Sequence, residues 1–235
     1  MGKVTLIYDI EQINLDKEDY AEVLNLSLLF YEAQRSGKLP KDNRIPWRND
    51  SALNDTGEEG EDLTGGYYDS NNYVKYTFST AFTTTVLAWG VISWPEAFNI
   101  ANQLDEVRKT IKWATDYLIK CHVGENVLYG QVGKFFFSEY NWGRPEDILH
   151  SRKAYKTDQQ HPGSDLVGET AAALAASSIV FKNVDPEYSA ECLKHAKELY
   201  NFANNYRAFY HDIKTIWVQN VKLYYNNTNY GDELA

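Results

Sequence analysis

At 235 residues, with 43% hydrophobic and 14% aromatic composition, the chain carries enough apolar side chain for one large domain or two small ones, which excludes a disordered polymer. A formal net charge of −10 argues against a nucleic-acid or anionic-membrane partner, because either requires a dense basic surface. Cys121 and Cys192 are too few for a disulfide framework and are expected to be buried free thiols.

The opening residues, Met1 to Glu11, place acid after only a short apolar run, the pattern of neither a signal peptide nor a membrane span. As written, the chain is expected to remain in the cytoplasm. Residues 20–35 set Tyr20, Val23, Leu24, Ser27, Leu28 and Tyr31 at three- and four-residue spacing behind Asp16, Glu18 and Asp19, which predicts an amphipathic helix closed by Gly37 and Pro40. From 40 to 76 the chain is rich in Gly, Asn, Asp and Pro without a sustained period. A loop that long inside a compact domain is usually functional.

A second helix is predicted from Phe78 to Trp89 and a third from Asn99 to Cys121, where Leu104, Val107, Ile111, Ala114 and Leu118 form a stripe. The next follows His161-Pro-Gly-Ser-Asp165, with Ser164 or Asp165 free to cap it, and its small residues require close packing. Asp185-Pro186 gives an N-cap and first-turn proline for a helix through Arg207, with Leu193, Ala196, Leu199, Tyr200 and Ala203 on one side. Tyr230 to Ala235 reads as the opening turns of a sixth helix, too short to bury an apolar face. No strand pattern of comparable length competes.

Several stretches together resemble a known family. Tyr20-Ala-Glu-Val-Leu24, Leu28 to Pro40, Arg44-Ile-Pro-Trp-Arg48, Asp50-Ser-Ala-Leu53, Leu63-Thr-Gly-Gly-Tyr-Tyr-Asp69, Trp142-Gly-Arg-Pro-Glu-Asp147, Pro162-Gly-Ser-Asp165, Glu169-Thr-Ala-Ala-Ala-Leu174 and Tyr230-Gly-Asp-Glu-Leu234 occur in its order. This is similar to glycoside hydrolase family nine, the endo-β-1,4-glucanases or cellulases. The resemblance implies an all-α fold of the six-hairpin glycosidase type, an (α/α)6 barrel, present here as an incomplete half-barrel. Residues 1–19 would be a non-family extension and 20–235 the N-terminal half of the catalytic domain. Such a half would expose apolar flanks and self-associate.

Family members are inverting hydrolases, in which one carboxylate activates water while a second carboxyl group protonates the leaving oxygen. Their loop reads Tyr-Tyr-Asp-Ala-Gly-Asp-His-Val-Lys-Phe, the first Asp holding the water and the second acting as base. By that resemblance Asp69 is the water-holding carboxylate, and Asn72 stands at the base position. An amide keeps the size and acceptor oxygen of a carboxylate but takes no proton from water. Asn71 replaces a Gly, keeping positive φ accessible to the turn, and Tyr73 replaces a His. Ser138-Glu139 replaces an Asp-His pair ahead of Trp142, and the family's general acid, a Glu, falls in the half not covered.

The resemblance also implies that Trp142, Tyr67, Tyr68 and Trp47 bind substrate, an indole face being a platform for a glucose ring; core packing is the equally weighted reading for Trp142. Arg144, Glu146 and Asp147 are expected to form an ion-pair network bracing the loop. Thr228, Asn229, Asp232 and Glu233 match part of a family calcium site, with complementing a helix N-terminus as the alternative for the two acids. The function implied is an endo-β-1,4-glucanase-like hydrolase of cellulose breakdown, catalytically impaired, with β-1,4-glucan as partner. The alternatives are a non-catalytic glucan- or partner-binding protein and a truncated product without function. Family members are secreted, in contrast to the start of this chain.

Overall fold

The computed structural model describes residues 17–69, 73–133, 143–148, 151–213 and 228–234. Six α-helices lie among them. α1 (Lys17–Ala33) leads through a long loop to β1 (Lys75–Tyr76) and α2 (Thr77–Ser93); α3 (Pro95–Ile100) and α4 (Leu104–Cys121) follow. Next come β2 (His122–Gly124), β3 (Val127–Val132) and β4 (Ala154–Thr157), then α5 (Ser164–Phe181) and α6 (Pro186–Asn205).

The core gathers the inner faces of α2, α4, α5 and α6. Val107, Ile111, Ala114 and Leu118 are buried as their helical spacing requires, and Leu104 packs partly buried at the edge. α5 is buried on most sides, Gly168, Ala171, Ala173 and Ser177 being the small residues of its buried surface. Cys121 and Cys192 are both free and buried in this core, and burial pushes their thiols up to about 11 and about 12.

Several expectations are corrected. The stretch 99–121 is not one helix, because Asn102 takes a φ of 52° and breaks the chain between α3 and α4. Neither Ser164 nor Asp165 caps α5; its N-cap is Gly163. Their side chains tie the helix to the last turn of α6 and to the segment after it instead, Ser164 Oγ donating to Ala203 O at 3.0 Å and Asp165 Oδ1 accepting from Tyr210 N at 2.8 Å. Asp185 does cap α6, accepting from Tyr188 N at 3.1 Å. On α6 the buried face is Cys192, Ala196, Leu199, Phe202 and Ala203, while Leu193 and Tyr200 are exposed. Residues 231–234 form a turn rather than a helix.

A small antiparallel sheet was not expected. β3 is its hub, pairing with β1 at Lys75–Val132, with β2 at His122–Leu128 and with β4 at Leu128–Thr157. It anchors the end of the long loop to the start of α2.

The outer face of the fold is apolar along two helices. Tyr20, Val23, Leu26 and Phe30 on α1, and Phe82, Val86 and Trp89 on α2, are exposed. This matches the expected uncovered flanks, and it means that the predicted α1 stripe is buried mainly at Leu28.

Candidate active site

The loop between α1 and α2 is held in place by buried charge. Asp55, almost fully buried, forms an ion pair with Lys75 Nζ at 2.7 Å and accepts a hydrogen bond from Arg152 Nε at 2.6 Å. Lys75 Nζ also donates to the carbonyls of Leu63 at 2.6 Å and Gly65 at 3.0 Å, and lies 4.6 Å from the centroid of the Tyr117 ring. Burial pulls the Lys75 ammonium below the ordinary lysine range and the Asp55 carboxylate opposes it. Arg152 reaches on to the carbonyl of Tyr73 at 2.6 Å. One carboxylate thereby joins the loop, the entry to α2 and the segment leading into β4.

The same loop is threaded against its neighbours through close backbone approach. Ser36 N donates to Gly66 O at 2.9 Å and Tyr68 N to Gln34 O at 2.9 Å. Gly66 has a φ of 73°, and a Cβ there would stand 2.6 Å from Tyr117 Cγ, so only glycine fits.

This frame presents Asp69. Asp69 N donates to Val74 O at 2.9 Å in an isolated antiparallel bridge. Tyr73 has a φ of 53°. Asn71 and Asn72 lie outside the described residues. The half-buried Asp69 carboxylate accepts a short hydrogen bond from Ser79 Oγ, one turn into α2. Asp69 opens on a cavity of about 400 Å³ walled by α1, α2 and α4, including Phe30, Tyr31, Tyr67, Tyr68, Thr83 and Leu87. Among the described residues lining it, Asp69 is the one carboxylate.

Tyr67 and Tyr68 are buried walls of this cavity rather than exposed platforms. The Tyr67 hydroxyl donates to Thr110 O at 3.0 Å and that of Tyr68 to Ser51 Oγ at 2.9 Å; burial raises both phenols above their usual range. Trp47 is 61% exposed and outside the cavity lining. Its carbonyl accepts Arg144 Nη2 at 2.7 Å. Trp142, Ser138 and Glu139 lie outside the described residues.

The expected brace around Arg144 and Glu146 is present, with a partner the sequence did not suggest. Arg48 Nε meets Glu146 Oε1 at 2.8 Å, Asn49 N donates to the same oxygen at 2.9 Å, and Arg144 Nε stands 3.4 Å from Glu146 Oε2. Against the pull of burial, the Asn49 N–H and the Arg48 guanidinium hold the Glu146 carboxyl below its ordinary value. Asp147, expected in the same network, makes no ion pair among the described residues; its N–H donates to Arg144 O at 3.0 Å within a local turn. Tyr73 closes the arrangement: its hydroxyl accepts Gly143 N at 2.9 Å and its ring meets that of Tyr68 edge-on at 6.1 Å. The residue replacing a histidine thus fastens the loop to the segment before Arg144.

At the far end of the chain Asp232 and Glu233 sit beside the first turns of α5. Burial, then the neighbouring Asp232 carboxylate, pushes the Glu233 carboxyl up to about 7, and burial raises Glu169. Glu233 Oε2 is buried without a hydrogen-bond partner among the described residues. Thr228 and Asn229 are exposed, and Asn229 Oδ1 already accepts Tyr230 N at 2.9 Å and Gly231 N at 3.0 Å. The two acids offer hard oxygen donors with charge to neutralise, which fits a calcium ion, whereas Asn229 is engaged with its own turn.

The family described as glycosyl hydrolase family 9 matches residues 20–235. Endoglucanase 19 of Arabidopsis thaliana is 45% identical over 98% of this chain, which spans 36% of that relative. Among solved structures, an endoglucanase of the termite Nasutitermes takasagoensis superposes with a TM-score of 0.88 at 55% identity, covering 92% of this chain and 49% of the termite one. The cellulase Cel9M of C. cellulolyticum, in complex with cellobiose, gives 0.79 at 28% identity, covering 92% of this chain and 53% of its own. The helices described above therefore form part of the (α/α)6 barrel of those enzymes. With the match running over residues 20–235, the chain belongs to glycosyl hydrolase family 9.

Proposed function

We propose that the chain is an endo-β-1,4-glucanase-like unit of the inverting type that holds β-1,4-glucan but hydrolyses it no faster than background. The observation carrying this reading is the amide at residue 72, three positions after the carboxylate that opens on the cavity. Inversion requires a base that removes a proton from the attacking water. Asp69, with one oxygen engaged by Ser79, orients a water through the other. The Asn72 carboxamide adds a hydrogen bond and accepts no proton, a loss of about 10²–10⁴ in rate. No second carboxylate lines the cavity among the described residues.

Glucan holding is supported by the cellobiose bound to Cel9M and by Tyr67 and Tyr68 in the cavity lining, with Trp142 and Trp47 as the platforms that the family resemblance implies. The exposed apolar faces of α1 and α2 support self-association as a second property. Calcium at Asp232 and Glu233, with Thr228 and Asn229 contributing through the turn, would neutralise the raised Glu233 carboxyl and brace the first turns of α5.

Retention on insoluble cellulose tests the binding half of this reading. The chain is expected to sediment with the polymer without releasing soluble sugar, and Trp142→Ala to remain in the supernatant. Equal retention of both, or none by the parent chain, would remove glucan binding from the account.

A further inference from the structure

His122 closes α4 and opens β2, and it is buried. It faces α6, where His195 and Glu198 lie one helical turn apart on the same side. The two imidazoles meet edge-on, ring centroids 4.9 Å apart at 77°, with Nδ1 facing Nδ1 at 2.7 Å. One donor atom from each of His122, His195 and Glu198 lies within 4.8 Å of the other two. None of these residues takes part in the loop that presents Asp69. We propose that His122, His195 and Glu198 form a zinc site, coordinating one Zn²⁺ through the two Nδ1 atoms and the carboxylate.

The donor set is of the right kind. Zinc takes imidazole nitrogen and carboxylate oxygen at about 2.0–2.2 Å, and three protein ligands leave a fourth position for water. His195 and Glu198 are only partly buried, so solvent reaches that fourth position. Neutral imidazole is the binding form. Burial first, and then the facing His195, pull His122 down to about 4, and burial lowers His195. Of the nearby charges, Glu198 and Glu191 favour a cation and Lys194 opposes one.

The proton balance closes without an external acid or base. In the facing pair one Nδ1 carries the proton and the other accepts it. Metal replaces that proton, and the first ring keeps it by shifting to its Nε2–H tautomer. A tetrahedral ion at these bond lengths needs its two nitrogens about 3.3 Å apart, so the pair opens by roughly half an ångström from its hydrogen-bonded separation. His195, on the partly exposed face of α6, is the side chain with room to turn. The ion would pin α6 to the junction of α4 and β2.

The test uses the full chain, stripped with a chelator and titrated with Zn²⁺ against a chromogenic zinc chelator. One equivalent is expected to bind, with affinity at least tenfold weaker in His195→Ala and in Glu198→Gln and unchanged in His161→Gln and Asp232→Asn. Binding that is equally strong in all variants, or absent from the parent chain, overturns the site. Should either ligand variant lose its helical circular dichroism, X-ray absorption of the zinc-loaded parent decides: a shell with two imidazole nitrogens supports the site, and one without imidazole refutes it.

Discussion

Asp55 carries the positioning of the loop, because it is the shared partner of two cations that have no solvent to fall back on. Removing one member of a buried ion pair costs about 3–5 kcal/mol, since the other is left charged and unpaired. Asp55→Ala strands both Lys75 and Arg152 and is expected to lower the free energy of urea unfolding by about that much, about 3–5 kcal/mol. A change under about 1 kcal/mol would mean that the carbonyls of Leu63 and Gly65 suffice for Lys75. At the other end of the chain, Glu233 titrates at about 7 in the fold against an ordinary 4.5. Between those values the unfolded chain has lost its proton and the folded one keeps it, so this group's contribution to stability falls as pH rises from 4.5 to about 7. Calcium reverses that trend by binding the ionised form. Thermal melts are expected to gain from Ca²⁺ at pH 8 and not at pH 5, and a gain of equal size at both would remove Glu233 from the calcium site. The legibility of single residues follows their partners. Asp69, Tyr67 and Tyr68 stand in one contiguous motif and were readable as a unit. Asp55 and Arg152 pair across 97 residues, and His122 meets His195 across 73, separations that no local pattern encodes.

At the scale of elements, helices announce themselves through the recurrence of apolar residues, and α1, α4 and α6 were legible for that reason, while α5 was legible from its capping residues and small-residue body. The sheet was not. Its longest strand, β3, is buried along nearly its whole length and so lacks the alternation that marks a half-buried strand, while β1 and β2 span only two and three residues. The break at Asn102 was missed because nothing in Ala101-Asn-Gln103 forbids helix, while Asn is among the residues that tolerate the left-handed φ found there. Ser164 and Asp165 show a third limit, since good capping residues were used for tertiary contacts instead. The exposed face of α2 has a consequence of its own. Phe82, Val86 and Trp89 follow helical spacing yet point outward, so they form a strip that a second surface can cover. Sedimentation velocity is expected to show self-association of the parent chain and a shift toward monomer in Phe82→Lys/Trp89→Lys; an unchanged distribution would place the contact elsewhere.

Across the whole molecule, the frame of the site and its chemistry separate. The buried Asp55 cluster, the Arg48–Glu146 brace, the glycine contact at Gly66 and the Ser79 bond to Asp69 hold the segment that presents Asp69. In the function proposed above, the amide of Asn72 leaves out what geometry cannot supply, the removal of a proton from water. The substitutions at Tyr73 and at Ser138-Glu139 extend the difference beyond a single atom, so Asn72→Asp alone is not expected to restore turnover. The most direct measurement is reducing-sugar release from carboxymethyl-cellulose by the purified chain beside its Asp69→Ala variant. The account predicts the same background rate from both. Release by the parent chain well above Asp69→Ala would show a working base in the loop and contradict it.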